Sequence, residues 1–130
     1  MCGIFGIYNY GVNDVSSRKV KFHLDSLEHR GPDAAGVWTK DNVGLGHARL
    51  SIIDLSNNAN QPFITPDKKF VITYNGEIYN YKYLKKILKN LYKYSSNSDT
   101  ELLLQGLALE NENFINKLEG MFAFSFYDVA

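Results

Sequence analysis

The only cysteine in this 130-residue chain is its second residue, and an apolar strand begins on it. Cys2 to Tyr8 alternates across a pleat, with Ile4 opposite Phe5 and Ile7 opposite Tyr8. A single cysteine excludes an internal disulfide and any multi-cysteine metal site. The chain must therefore hold its fold by packing. The position also carries chemistry. Removing Met1 would leave a thiol and a free α-amine on one residue. The thiolate is the nucleophilic form of cysteine, and an α-amine, with an ordinary pKa of about 8, can act as a base near neutral pH. Nucleophile and base would then share one residue. The bland alternative is that Cys2 only begins a short buried strand.

The chain is long enough for about one domain. Its 45% hydrophobic and 14% aromatic content is ample for a core. Fourteen basic residues offset fourteen acidic ones, so no basic surplus points to nucleic acid or an anionic membrane. The apolar runs are too short to span a bilayer, and no charged leader precedes one. A cytoplasmic protein is the simplest reading.

Strand-like and helix-like segments alternate, with no repeat and no low-complexity linker. The spacing of Val20, Leu24 and Leu27 predicts a helix over Ser17 to His29, followed by the turn-rich His29-Arg30-Gly31-Pro32-Asp33. Ala35 to Thr39 and Val43 to Ile53 read as strands around Asp41-Asn42. Asn57 to Pro66 reads as a polar loop. Phe70 to Tyr74 reads as a strand that runs into Asn75-Gly76. Asn80 is placed to cap a helix reaching Leu91, with Leu84, Ile87, Leu88 and Leu91 on one face and Lys82, Lys85, Lys86 and Lys89 on the solvated side. Ser98-Asp99-Thr100-Glu101 has capping-box spacing before Leu102, Leu103, Leu104 and Leu107. A short helix is expected over Glu112 to Leu118. Phe122, Phe124 and Phe126 then alternate as a strand that reaches the end of the chain. An apolar strand ending there suggests truncation and an unpaired sheet edge open to self-association.

Polar clusters fall at the strand ends. Arg49, one of three arginines, sits in an otherwise apolar strand. It is either a surface residue or a fork for a substrate carboxylate. Asn75-Gly76 is either a hairpin turn or a pair of oxyanion donors, an Asn amide and a Gly N–H. Asp99 either stabilises a helix start or holds a substrate ammonium. His23, His29 and His47 lack metal-ligand spacing, and no metal site is expected.

Together these motifs resemble the class II glutamine amidotransferases. Cys2-Gly3-Ile4-Phe5-Gly6, His29-Arg30-Gly31-Pro32-Asp33, Gly46-His47-Ala48-Arg49-Leu50-Ser51-Ile52-Ile53-Asp54, Asn75-Gly76-Glu77-Ile78-Tyr79-Asn80-Tyr81, Ser98-Asp99-Thr100-Glu101 and Gly120-Met121-Phe122-Ala123-Phe124 follow the family's order over nearly the whole chain. Relatives that make glucosamine phosphate carry a Tyr at Pro32 and a Trp at Leu50, and those that feed purine synthesis carry a Gln at Pro32. Pro32, the Arg49-to-Asp54 run and Gly76-Glu77-Ile78-Tyr79 resemble the glutamine-dependent asparagine synthetases.

The resemblance implies an α+β fold, the N-terminal nucleophile hydrolase sandwich of two antiparallel sheets between helix layers. It makes residues 1–130 a partial glutaminase domain, lacking later strands and an ATP-dependent synthetase domain. By this resemblance Cys2 attacks the glutamine side-chain amide, and Asn75 with the Gly76 N–H holds the oxyanion. Arg49 pairs with the glutamine α-carboxylate, Glu77 and Asp99 grip its α-amino group, and Leu50, Ser51, Ile52 and Ile53 supply backbone contacts. It implies glutamine as substrate, no cofactor in this domain, and ATP with Mg2+ in the synthetase domain. Aspartate is the first acceptor to expect, with a sugar carboxylate as the alternative. An inactive fragment that only binds glutamine or a partner chain is the reading from a different class.

Overall fold

The fold is that of a computed structural model, and it describes residues 2–11, 13–51 and 59–130. Its elements are β1 (Gly3–Tyr8), α1 (Ser17–Asp25), β2 (Ala34–Lys40), β3 (Val43–Arg49), β4 (Phe63–Ile64), β5 (Phe70–Ile78), α2 (Tyr81–Leu88), α3 (Asp99–Glu110) and β6 (Gly120–Asp128). Short 3-10 turns cover Glu28–Arg30 and Asn111–Lys117. The strands form two antiparallel three-stranded sheets, ordered β1-β3-β2 and β4-β5-β6. The architecture is α+β, as the resemblance implies.

Pleat alternation decides which layer each residue enters. Val43, Leu45 and Val71 are buried together, and Thr73 Oγ1 donates to the Gly46 carbonyl at 3.1 Å, so β3 and β5 face each other. On the opposite side of β3, a Cβ on Gly46 would touch Val20 and Leu24 of α1. On the opposite side of β5, Ile72, Tyr74 and Ile78 join Leu84 and Leu88 of α2 and Leu102, Leu103, Leu104 and Leu107 of α3 in the main core. Helices thus lie outside both sheets. Burying one such aliphatic side chain stabilises the fold by about 1.5–3 kcal/mol.

Residues Asp99 through Leu107 of α3 are all buried, so this helix is apolar around most of its circumference rather than on one stripe. Glu101, completely buried, is accommodated by five donors. It accepts hydrogen bonds from the Ser95 and Ser96 N–H groups, both of their hydroxyls and the Tyr92 hydroxyl, at 2.7–3.2 Å. Only half of the expected capping box forms. Ser98 accepts from the Thr100 N–H at 3.0 Å, but Glu101 serves the preceding loop and the Ser98 N–H turns to Ser96 Oγ.

Several element ends differ from expectation. α1 stops at Asp25, not His29, and the chain enters a 3-10 turn. α2 stops at Leu88, leaving Ile87 and Leu91 exposed by 54% and 69%. Lys85 is not a solvated lysine: its Nζ donates to the Ser96 carbonyl at 2.6 Å and lies over the Tyr94 ring. Asn80 does not cap α2 through its side chain. Its amide donates to the Lys117 carbonyl and its Oδ1 accepts from the Glu119 N–H, at 2.8 and 3.1 Å. The helix expected over Glu112 to Leu118 is the 3-10 turn. β3 ends at Arg49, and positions 52 and 53 of the longer strand expected there lie outside the described residues.

The hairpin reading of Asn75-Gly76 is overturned. β5 runs through both residues to Ile78, and they pair with Ala123 and Phe122 of β6. Gly76 has φ 154°, and a Cβ there would meet the Met121 carbonyl. A glycine is needed because the β6 backbone passes where a side chain would begin.

Gly106, within α3, faces the Phe114 ring, which is 1% exposed and occupies the space a Cβ would take. A Gly-to-Ala change inside a helix ordinarily gains about 1 kcal/mol. Here overpacking should outweigh that gain. Gly106→Ala should lower the unfolding free energy in urea by about 1–2 kcal/mol. A stabilised variant would mean that the Phe114 ring can step aside.

Candidate active site

Sheet pairing sets the site's first wall. β1 pairs with β3 so that Gly3 opposes Ala48 and Ile4 opposes His47. That register carries Cys2 to the end of β3. The Leu50 N–H donates to the Cys2 sulfur at 3.3 Å, and the thiol lies 3.5 Å from the Leu50 carbonyl. Arg30 Nε donates to the Cys2 carbonyl at 3.2 Å, tying the start of the chain to the His29-to-Asp33 loop.

Cys2 opens onto a cavity also lined by His47, Arg49, Leu50, Ala59, Gln61, Tyr74, Gly76, Glu77, Ser98, Asp99 and Thr100. Six of the ten site residues singled out from the sequence therefore share one cavity. Asn75, half-buried, is not on its lining. Ser51 is also off the lining, and its N–H donates to Asp33 Oδ2 at 2.7 Å. Ile52 and Ile53 lie outside the described residues.

Arg49 is 6% exposed, which rules out a surface arginine. Its Nη1 donates to Asn60 Oδ1 at 2.5 Å. A guanidinium held in a partly desolvated cavity attracts a carboxylate more strongly than one in water. Asp99 is 4% exposed and turned inward. Its Oδ2 accepts from the Tyr74 hydroxyl at 2.7 Å and from the Ile78 N–H at 3.1 Å. Burial raises the Asp99 carboxyl above the usual range, and those two hydrogen bonds oppose the shift. The cavity thus places a cation and a carboxylate on separate elements, β3 and α3, with a thiol on the same lining. Such a constellation suits an α-amino acid, which presents an ammonium and a carboxylate from one carbon.

Three lining residues were not legible as a site. Gln61 accepts from the Tyr74 N–H at 2.6 Å and donates to Thr100 Oγ1 at 3.2 Å, bridging β5 to α3. Tyr74 reads in sequence as a core aromatic. His47 sits in the quoted Gly46-to-Asp54 motif, which was the available signal for it. His47 is 1% exposed, and its Nε2 lies 3.1 Å from the Tyr74 carbonyl. A carbonyl only accepts, so Nε2 carries the proton and Nδ1 is the bare nitrogen, with no hydrogen-bond partner among the described residues. Burial lowers the His47 pKa from 6.5 to about 4.

Among the described residues, no group of three or more His, Cys, Asp or Glu side chains is placed to hold a metal. No helix among them is long and apolar enough to cross a membrane.

Residues 1–130 match the glutamine amidotransferase domain family. The chain belongs to that family. It is 40% identical over 129 residues to asparagine synthetase B [glutamine-hydrolyzing] of Escherichia coli (strain K12), covering 98% of this chain and 23% of that protein. It is 39% identical over 128 residues to asparagine synthetase [glutamine-hydrolyzing] 1 of Bacillus subtilis (strain 168), covering 95% and 20%. It is 46% identical over 107 residues to amidase chry2 of Gibberella zeae, covering 81% and 16%. This amidotransferase domain spans about a fifth of the length of the curated relatives it matches.

The depressed His47 pKa has a thermodynamic consequence. The unfolded chain binds a proton at His47 below pH 6.5 that the folded chain refuses until about pH 4. The stability from a neutral His47 is therefore complete above pH 6.5 and lost as pH falls to about 4. With one pKa unit worth about 1.4 kcal/mol, the loss is roughly 3 kcal/mol. Urea unfolding at stepped pH should show that slope in the parent and its absence in His47→Gln. An equal slope in both would assign the titration to another group.

Proposed function

We propose that this domain is the glutaminase half of an asparagine synthetase-like enzyme. It would release ammonia from the glutamine side chain for ATP-dependent amidation of a carboxylate, with aspartate as acceptor. The gathering of Cys2, Arg49, Leu50, Gly76, Glu77 and Asp99 around one cavity carries this reading. The names of the asparagine synthetases it resembles support the acceptor. ATP and Mg2+ belong to a synthetase domain outside these residues, in the longer protein that the relatives exemplify. The facing antiparallel sheets with outer helices suit an N-terminal nucleophile hydrolase sandwich. The protein would work in the cytoplasm.

In this reading Met1 is removed first, which frees the Cys2 amine. Arg49 pairs with the glutamine α-carboxylate, and Asp99 and Glu77 take its α-ammonium. Backbone contacts to glutamine are assigned by the resemblance to Leu50, Ser51, Ile52 and Ile53, and of these Leu50 lines the cavity. The Cys2 amine takes the thiol proton as sulfur bonds to the amide carbon. The resulting oxyanion is held by the Asn75 amide and the Gly76 N–H. Collapse breaks the carbon–nitrogen bond, and the ammonium of Cys2 returns the proton to the leaving nitrogen. Water then cleaves the thioester to glutamate, restoring the thiol. One oxyanion donor is typically worth a hundredfold or more in rate. For Asn75 to contribute, its amide must reach the cavity when glutamine is bound. Catalytic hydrogen bonds commonly tighten only in the complex.

Cys2→Ala should abolish glutamine hydrolysis in the full-length protein and spare synthesis from free ammonia. Ammonia production with glutamine and amide formation with ammonium salt are the two assays. Normal hydrolysis by the Ala variant would remove Cys2 as nucleophile. Loss of both activities would show that the variant fails to fold.

A further inference from the structure

Tyr74, which the chemistry above does not employ, bonds to three other residues of the cavity lining. Its N–H donates to Gln61, its carbonyl accepts from His47 Nε2, and its hydroxyl donates to Asp99 Oδ2. It is 3% exposed. A buried phenol needs a partner, and a hydrogen bond to a carboxylate is about twice as strong as one between neutral groups. Burial pushes the Tyr74 hydroxyl pKa up, and the Asp99 charge pushes it further, so the phenol stays a donor across the whole working range.

We propose that Tyr74 is a positioning residue for glutamine binding: its hydroxyl orients the Asp99 carboxylate toward the cavity and keeps it in the form that receives the substrate ammonium. The inference rests on the reading of Asp99 given above. Two facts favour positioning over simple core packing. The contact is made to a cavity-lining carboxylate, and the same Oδ2 is fixed from a second direction by the Ile78 N–H. The Asp99 carboxylate is thereby held by β5 at two points, although it belongs to α3. Gln61 bridges the same strand to Thr100, one residue further along α3.

Among the described residues, the other ionisable groups on the cavity walls are Cys2, His47 and Arg49 on one sheet side and Glu77 on the other. Glu101, on the same helix, is turned away to Ser95 and Ser96, and Lys85 of α2 is bonded to the Ser96 carbonyl. None of these contacts involves the Tyr74 hydroxyl. Without that donor, burial acts on Asp99 less opposed, and its carboxyl should take up a proton at higher pH than in the parent.

The test compares Tyr74→Phe, Asp99→Asn and the double variant in glutamine hydrolysis by the full-length protein with Met1 removed. Tyr74→Phe should raise KM for glutamine about tenfold and leave kcat within about twofold. The acid limb of kcat/KM should move to higher pH. In the Asp99→Asn background the same change should add nothing, because Tyr74 acts through Asp99. An unchanged KM and acid limb in Tyr74→Phe would overturn the inference. So would a fall in kcat with KM unchanged, or an undiminished effect in the Asp99→Asn background. If Asp99→Asn itself left KM unchanged, the reading of Asp99 would fall, and the inference with it. If Asp99→Asn raised KM while Tyr74→Phe did not, only the inference would fall.

Discussion

Two hydrogen bonds between the sheets set the geometry on which everything else depends. Thr73 Oγ1 donates to the Gly46 carbonyl, and His47 Nε2 donates to the Tyr74 carbonyl, each at 3.1 Å. They join consecutive residues of β5 to consecutive residues of β3. Sheets that met only through Val43, Leu45 and Val71 could slide, because apolar contact is not directional. A polar contact buried between them is directional, and leaving its groups unpaired would cost about 1–3 kcal/mol each. The pins therefore fix the end of β3, with Arg49 and the Cys2 sulfur, against the end of β5, with Gly76 and Glu77.

The third wall comes from α3, and polar groups place it as well. Glu101 ties the helix to Ser95 and Ser96, and Tyr74 and the Ile78 N–H hold Asp99. Gln61 joins the same strand to Thr100. A leucine-rich helix buried around most of its circumference could rotate or shift with little change in apolar area. These bonds define its register, and that register brings Asp99 to the cavity. That wall of the cavity is thus a by-product of how the buried polar groups are satisfied.

The strands were legible because alternation survives in short segments: β2 and β6 lie within a residue or two of where the apolar pattern placed them. The length of β5 was not legible. Asn75-Gly76 is a turn former locally, and only its pairing with Ala123 and Phe122, more than forty residues on, keeps it extended. The ends of α2 and the true partners of Asn80 and Glu101 were hidden for the same reason, since each side chain bonds to a segment that local spacing does not reveal. The site was legible as motifs, and Cys2, Arg49 and Asp99 line one cavity. Tyr74 and Gln61 did not stand out, because a core Tyr and a loop Gln look ordinary until their partners, Asp99 and Thr100, are known.

In the proposed function, Cys2 and this cavity act as one unit on glutamine. Intact and peptide mass spectrometry would test it directly, on protein with Met1 removed and treated with a glutamine analogue bearing an electrophilic carbon at the side-chain carbonyl position. One adduct on Cys2, prevented by excess glutamine but not by glutamine lacking its α-amino group, is the expected result. Labelling that ignores glutamine, or an unmodified Cys2 in a protein that still hydrolyses glutamine, would contradict it.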